Sequence, residues 1–217
     1  MTDFKPKAAI FDMDGLMLDT ERPVIPVWVR AGKNIGWDIS EETAIHTIGI
    51  DGEDTQKVCM DELGAEFPYD KFSTELHRLY FEEFENGIVH KTGLLDLLNH
   101  LRAIGIPMAV GTSSRRKPAL WKLEKAGISA YFSLVVGGDD VRYSKPAPDI
   151  FIEAARKLGF PPGECVGFED SPAGLKALSD AGIPSVFIKD IIEPPDEILD
   201  TVWKRLNNLA EAIPLFT

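Results

Sequence analysis

The feature that most constrains this 217-residue chain is a unit that recurs along it. The stretches LRAIGIPMAVG, LEKAGISAYFSLVVGG, ARKLGFPPGECVGFED and LSDAGIPSVFIKD each close a helical run on a glycine (Gly105, Gly127, Gly159, Gly182). An apolar residue follows, and then a β-rich run. Glycine just past a helix supplies the left-handed conformation that stops it, and the chain turns into a strand. The pattern predicts strands at 8–12, 107–112, 134–136, 166–169 and 185–188. They are continuous Val, Ile, Ala and Phe runs rather than alternations, as strands covered by helices on both faces require. Strand and helix alternating in this way give an α/β fold with a doubly wound, Rossmann-like parallel sheet. Pro118 and Pro172 follow polar turns and suit first helical positions.

Between Asp19 and Ile88 the rhythm breaks. Phe72, Leu76, Leu79, Tyr80 and Phe84 recur at helical spacing, glycines punctuate the segment, and no buried strand is evident. The segment holds 16 acidic residues against 6 Lys and Arg, a net of −10, whereas the remainder nets only −2. It reads as a small helical domain, 19–88, inserted into an α/β core formed by 1–18 and 89–217.

The overall charge of −12 argues against a nucleic-acid partner, which would call for a basic face. No apolar run approaches the roughly 20 residues of a membrane span. The N-terminus, MTDFKPKAAIFDMDG, carries acids where a signal peptide would be apolar. Cys59 and Cys165 are far apart in sequence and suit small core residues in a reducing compartment. These features give a cytoplasmic protein with no membrane or nucleic-acid partner, expected to be a monomer.

Four short pieces concentrate the chemistry. The first strand delivers Asp12-Met13-Asp14-Gly15 at its carboxyl end, where ligands bind in parallel sheets. Two carboxylates there repel each other and have no evident partner, which a divalent cation with its demand for oxygen ligands would change. A polar turn is the simpler reading of DxD alone. Glu169 and Asp170 place further acids at the end of a later strand, with Ser171 as an N-cap and Pro172 behind it. Thr112-Ser113-Ser114 offer hydroxyls and backbone N–H groups for an anion, or simply start a helix. Lys145 precedes Pro146, which bars it from helical conformation and fixes its direction. A lone lysine is otherwise a solvated charge. His46, His77, His90 and His100 show no ligand spacing, Asp139 and Asp140 read as a loop-and-cap pair, and the tryptophans read as packing residues.

All four pieces fall at strand ends or before helices, on one side of the inferred sheet. In order, DxDGxxxDT, a strand ending in Thr, KPAPD and FEDSPAG, the chain resembles the haloacid dehalogenase superfamily. Within it, the resemblance is to β-phosphoglucomutase-like sugar-phosphate phosphatases with a helical cap. The resemblance implies Asp12 as the nucleophile that forms an aspartyl-phosphate and Asp14 as general acid and base. It implies Mg²⁺ held by Asp12, the carbonyl of Asp14 and Asp170, with Glu169 as ligand or as support. Thr112, Ser113 and Lys145 would hold the phosphoryl group. The substrate would be a small phosphorylated metabolite, and the cap loop at Ile48, Gly49, Asp51 and Gly52 would choose it.

A phosphosugar mutase of the same family is the alternative reaction. Counted without gaps, however, the positions where a mutase carries a histidine and two bases fall on Val24, Ile48 and Gly52. An acidic cap without those bases favours a monophosphate and hydrolysis. An inactive metal-binding or regulatory protein is the alternative outside catalysis, opposed by the presence of a competent residue in every role.

Overall fold

The computed structural model describes residues 4–48 and 52–217, apart from the Glu53 side chain. It divides into two compact units, Met1–Leu18 with Val89–Thr217, and Asp19–Ile88. Gly49 and Asp51, two of the loop positions expected to choose the substrate, lie outside the described residues.

The larger unit is built on β1 (Ala8–Phe11), β2 (Met108–Gly111), β3 (Leu134–Val136), β4 (Cys165–Glu169), β5 (Ser185–Ile188) and β6 (Lys204–Leu206), with α5 (Leu94–Ala103) leading into β2. All neighbouring strands are parallel, in the order β3-β2-β1-β4-β5-β6. Every residue of β1 is fully buried, so both of its faces are covered. Ala8 and Ile10 pack with Ile150, Phe151, Ala154 and Ala155 of α7 (Asp149–Leu158) and with Ala177 and Leu178 of α8 (Pro172–Asp180). The alternate residue Phe11 stacks on Phe168, ring centroids 4.6 Å apart. This double burial is why the strands read as unbroken apolar runs. Gly159, φ 85°, ends α7 by donating its N–H to the carbonyls of Ala155 and Arg156, the conformation only glycine adopts without steric cost.

β6 is the strand the sequence pattern does not predict. Its Lys-Arg-Leu run lies at the sheet edge, with the two bases exposed, and an edge strand of this kind needs no apolar face. Pro118 also departs from expectation. It is the third residue of α6 (Arg116–Lys125), not the first; it is tolerated because first-turn N–H groups have no intrahelical partner. Pro172 does open α8, and Ser171 caps it by accepting from the Gly174 N–H at 3.0 Å.

Two features of the order position a site. Succession runs outward from β1 through β2 to β3, and then from β4 through β5 to β6 on the other side. The direction therefore reverses between β1 and β4, and ligands of parallel sheets bind at the carboxyl ends of such a switch. The register pairs Phe11 with Phe168, so the next residues, Asp12 and Glu169, emerge side by side.

The smaller unit contains α1 (Glu21–Ile35), α2 (Glu41–Ile45), α3 (Gly52–Leu63) and α4 (Tyr69–Glu83). Among its described residues no strand forms. Its own core gathers Val27, Trp28, Ala31, Ile39, Ala44, Cys59, Phe67, Phe72 and Leu79. Trp28 packs on Phe72 with centroids 5.0 Å apart, and Trp37 meets Phe67 edge-on. Both cysteines are buried free thiols.

Candidate active site

At the carboxyl end of β1 the backbone N–H of Asp12 donates to the Phe168 carbonyl at 3.0 Å, extending the ladder by one residue. The carboxylate that emerges there is buried and meets Lys145, whose Nζ lies 2.5 Å from Asp12 Oδ1 and 2.6 Å from Glu169 Oε1. Lys145 reaches this point from the segment between β3 and α7, across a cis peptide bond to Pro146. Its side chain is 5% exposed. Asp12 therefore does have a partner, contrary to the sequence reading, and it comes from a distant part of the chain.

Burial pushes the Asp12 carboxyl up to about 8; the Lys145 ammonium opposes the rise and the Glu169 charge adds to it. Burial by itself would lower the Lys145 ammonium, but the charges of Asp12 and Glu169 outweigh it and hold Lys145 above its usual range.

Glu169 is fully buried and both of its oxygens are engaged. Oε1 takes the Lys145 contact, while Oε2 accepts from the N–H groups of Asp170 and Ser171, each at 2.9 Å, and from the Ser171 hydroxyl at 3.0 Å. Ser171 thus caps α8 and also steadies Glu169. Carboxylate oxygens of Asp12, Glu169 and Asp170 lie within 4.8 Å of one another. Three converging carboxylates suit a hard divalent cation, which takes oxygen ligands. The Asp14 carboxylate is not among them.

Two glycines let these groups approach. Gly15 has φ 82°, and a Cβ there would lie 2.3 Å from Asp170 Oδ2. At Gly174, on the first turn of α8, a Cβ would lie 1.7 Å from Glu169 Oε1. Gly174→Ala is accordingly expected to displace Glu169 and Lys145 together. The overpacking should cost about 1–3 kcal/mol, read by denaturant unfolding, and catalytic activity should fall with it. Unchanged stability and activity would show that Glu169 can move without consequence.

Asp14 turns away from this cluster. Its Oδ1 lies 2.7 Å from Lys122 Nζ, and its Oδ2 accepts from the Ser114 hydroxyl at 3.0 Å. Thr112, buried just past β2, donates its N–H to the Val136 carbonyl at 3.0 Å, and its Oγ1 accepts from the Ser114 N–H at 3.1 Å. Ser113 accepts a hydrogen bond from the Ser144 hydroxyl at 3.1 Å, linking it to the Lys145 segment. Asp139 and Asp140 do serve the loop, taking the N–H groups of Arg116 and Gly137. On the far side of the switch, Lys91 Nζ pairs with buried Asp190 Oδ1 at 2.5 Å.

The structure thus brings Asp12, Lys145, Glu169 and Asp170 into one cluster, and Asp14, Ser114 and Thr112 into a second linked group. Lys122 is the residue that sequence reasoning passed over. Its trace was present: it occupies the stripe of Ala119 and Leu123, the buried face of α6, where a lysine is out of place. Ile48 is half-buried in the helical unit, and Gly52 starts α3, where an added Cβ would meet none of the described atoms within 4 Å.

Comparison with known proteins identifies the family. A family model described as haloacid dehalogenase-like hydrolase matches residues 6–182. The chain is 28% identical to the phosphorylated carbohydrates phosphatase of Thermotoga maritima, over 83% of this chain and 84% of that protein. It is 32% identical to the Escherichia coli fructose-1-phosphate phosphatase YqaB, over 83% and 95% respectively. The crystal structure of CbbY from Rhodobacter sphaeroides in complex with phosphate superposes with a TM-score of 0.79 at 26% identity, covering 95% of this chain and 96% of that one. With its carboxylate motifs at the switch between β1 and β4, the chain belongs to the haloacid dehalogenase-like hydrolases, as an enzyme of the phosphatase type.

Proposed function

We propose that this protein is a Mg²⁺-dependent phosphatase that hydrolyses a small phosphomonoester, a sugar or polyol phosphate, through an aspartyl-phosphate on Asp12. The observation that carries the reading is the placement of Lys145 between Asp12 and Glu169, with Asp170 beside them. That arrangement supports reading Asp12 as nucleophile, Lys145 as phosphate-binding cation and the carboxylates as a metal site, all within one buried cluster. The relatives named for phosphorylated carbohydrates and fructose 1-phosphate support the substrate class.

Asp12 and Asp170, with the backbone carbonyl of Asp14, would hold Mg²⁺, which when bound supplies positive charge against the repulsion between carboxylate and phosphate. Glu169 holds Lys145 and the turn before α8, and stands beside Asp12 and Asp170 as a further ligand or as their support. A carboxylate oxygen of Asp12 attacks phosphorus in line, and the bond to the alcohol oxygen breaks. Lys145, Thr112 and the Ser113 N–H hold the phosphoryl oxygens as charge redistributes over them. Asp14 gives its proton to the departing alkoxide, then takes one from the water that splits the aspartyl-phosphate and releases inorganic phosphate.

Hydrolysis is preferred to a mutase reaction because Val24, Ile48 and Gly52 offer no charge to a second phosphate. Substrate choice is assigned to the segment 48–53 of the helical unit, acting as a cap. The domain limits, 1–18 with 89–217 and 19–88, form part of this reading.

Removing divalent metal with a chelator should abolish phosphate release from p-nitrophenyl phosphate and from a panel of sugar and polyol phosphates, and Mg²⁺ should restore it. The panel member with the highest kcat/KM names the substrate class. Full activity in chelator would sink the metal assignment, and absence of any turnover with Mg²⁺ would favour an inactive binding protein.

A further inference from the structure

We propose that Lys122, outside all four motifs, is a positioning residue for Asp14. The inference rests on the assignment of Asp14 as general acid and base.

Lys122, Ser114 and Asp14 close a small ring. Lys122 Nζ is 2.7 Å from Asp14 Oδ1 and 3.1 Å from Ser114 Oγ, and Ser114 Oγ is 3.0 Å from Asp14 Oδ2. The Lys122 side chain is 10% exposed and that of Asp14 is 19% exposed. An ion pair so removed from water adds little stability over apolar residues of the same size. The neighbours of Lys122 on its helix face, Ala119 and Leu123, are apolar, so packing alone would be satisfied by Leu or Met. What the lysine contributes beyond packing is a fixed donor against one oxygen of Asp14.

The two donors in the ring differ in kind. An ammonium only donates, whereas a hydroxyl both donates and accepts. Lys122 therefore pins Oδ1 as a permanent acceptor. Ser114 donates to Oδ2 when Asp14 is a carboxylate, and its hydroxyl can rotate away when that oxygen carries a proton, leaving the proton to face the departing alcohol. The exchanged proton is thereby assigned to Oδ2: it leaves with the alcohol in the first half-reaction and is replaced from water in the second. Because the Ser114 N–H also donates to Thr112 Oγ1, the same ring ties the aim of Asp14 to the loop proposed to grip phosphate. A misplaced acid is costly, since errors near 1 Å lower rates by about 100-fold.

The test compares kcat/KM for an alkyl phosphate from the panel, whose alkoxide needs a proton, with that for p-nitrophenyl phosphate, whose phenolate does not. Wild type, Lys122→Met, Asp14→Asn and the double variant are measured, each with a thermal melt. Lys122→Met should lose about 10- to 100-fold on the alkyl phosphate and several-fold less on the aryl one. Adding it to Asp14→Asn should change the alkyl rate no further, because its effect passes through Asp14. Lys122→Arg, still a donor, should recover part of the loss. If Lys122→Met melts below the assay temperature, Ser114→Ala, which breaks the same ring with a smaller change, carries the comparison. Equal losses on both substrates, or a further loss in the double variant, would overturn the proposal while Asp14→Asn still discriminates. If Asp14→Asn itself fails to discriminate, the acid–base assignment falls and this inference with it.

Discussion

Asp12→Asn is expected to lose phosphoenzyme formation and to drop turnover by roughly 10⁴-fold or more, because an amide cannot replace a carboxylate as nucleophile. The same variant should fold at least as well as the wild type. Asn keeps the size and shape of Asp, and Lys145 retains its contact with Glu169 at 2.6 Å, so no charge is stranded. Metal-free wild type, by contrast, carries a buried carboxyl raised from 3.8 to about 8, chiefly by burial. For an acid whose folded-state value is raised, the folded state holds a proton that the unfolded chain releases. Stability is therefore present below about pH 4 and is lost as pH rises toward 8. Asp12→Asn removes that loss. Its melting temperature, measured in chelator, should exceed that of the wild type most clearly near and above pH 8. A melting temperature well below wild type at pH 8 would mean that Asp12 contributes net attraction in the metal-free site. Retained phosphoenzyme, detected by acid quench, would remove Asp12 from the nucleophile role.

Lys145→Met should produce the opposite stability effect together with a comparable loss of activity. It removes the ammonium between Asp12 and Glu169, whose side chains are 10% and 0% exposed. At high pH two buried carboxylates then face each other without the Lys145 ammonium between them. Removing one partner of a buried pair costs about 3–5 kcal/mol, which for a chain of this size lowers the melting temperature by roughly 10 °C. The deficit should shrink as pH falls, since protonating Asp12 removes the repulsion. Activity should collapse at every pH, because the ammonium that lies beside Asp12 to meet the phosphate is gone. A variant as stable as wild type at pH 8 would show that the carboxylates are relieved by another route. Activity within about tenfold of wild type would remove Lys145 from phosphate binding.

Much of this fold can be read from local signals. Each helix-stopping glycine and each unbroken apolar run reports its own conformation, so the central strands and the helices after them are visible residue by residue. The acidic, strandless segment 19–88 stands out by composition. The chemistry-bearing residues are visible too, because Asp12, Thr112 and Glu169 sit where apolar runs stop. β6 is not legible: its bases lie at an edge where burial imposes no pattern.

What the sequence by itself determined is the type of element along the central strands and the helices after them, and the residue types at the strand ends, because both follow from backbone preference and hydrophobic periodicity over a few residues. Only the tertiary structure decided who meets whom. The parallel register of β1 with β4 sets Asp12 beside Glu169, and a lysine 133 positions along the chain from Asp12 lies between them. Another, 108 positions from Asp14, meets that residue from inside an apolar helix face. Electrostatic pairing acts over a few ångströms in space and is blind to separation along the chain, so no local pattern could have paired these charges.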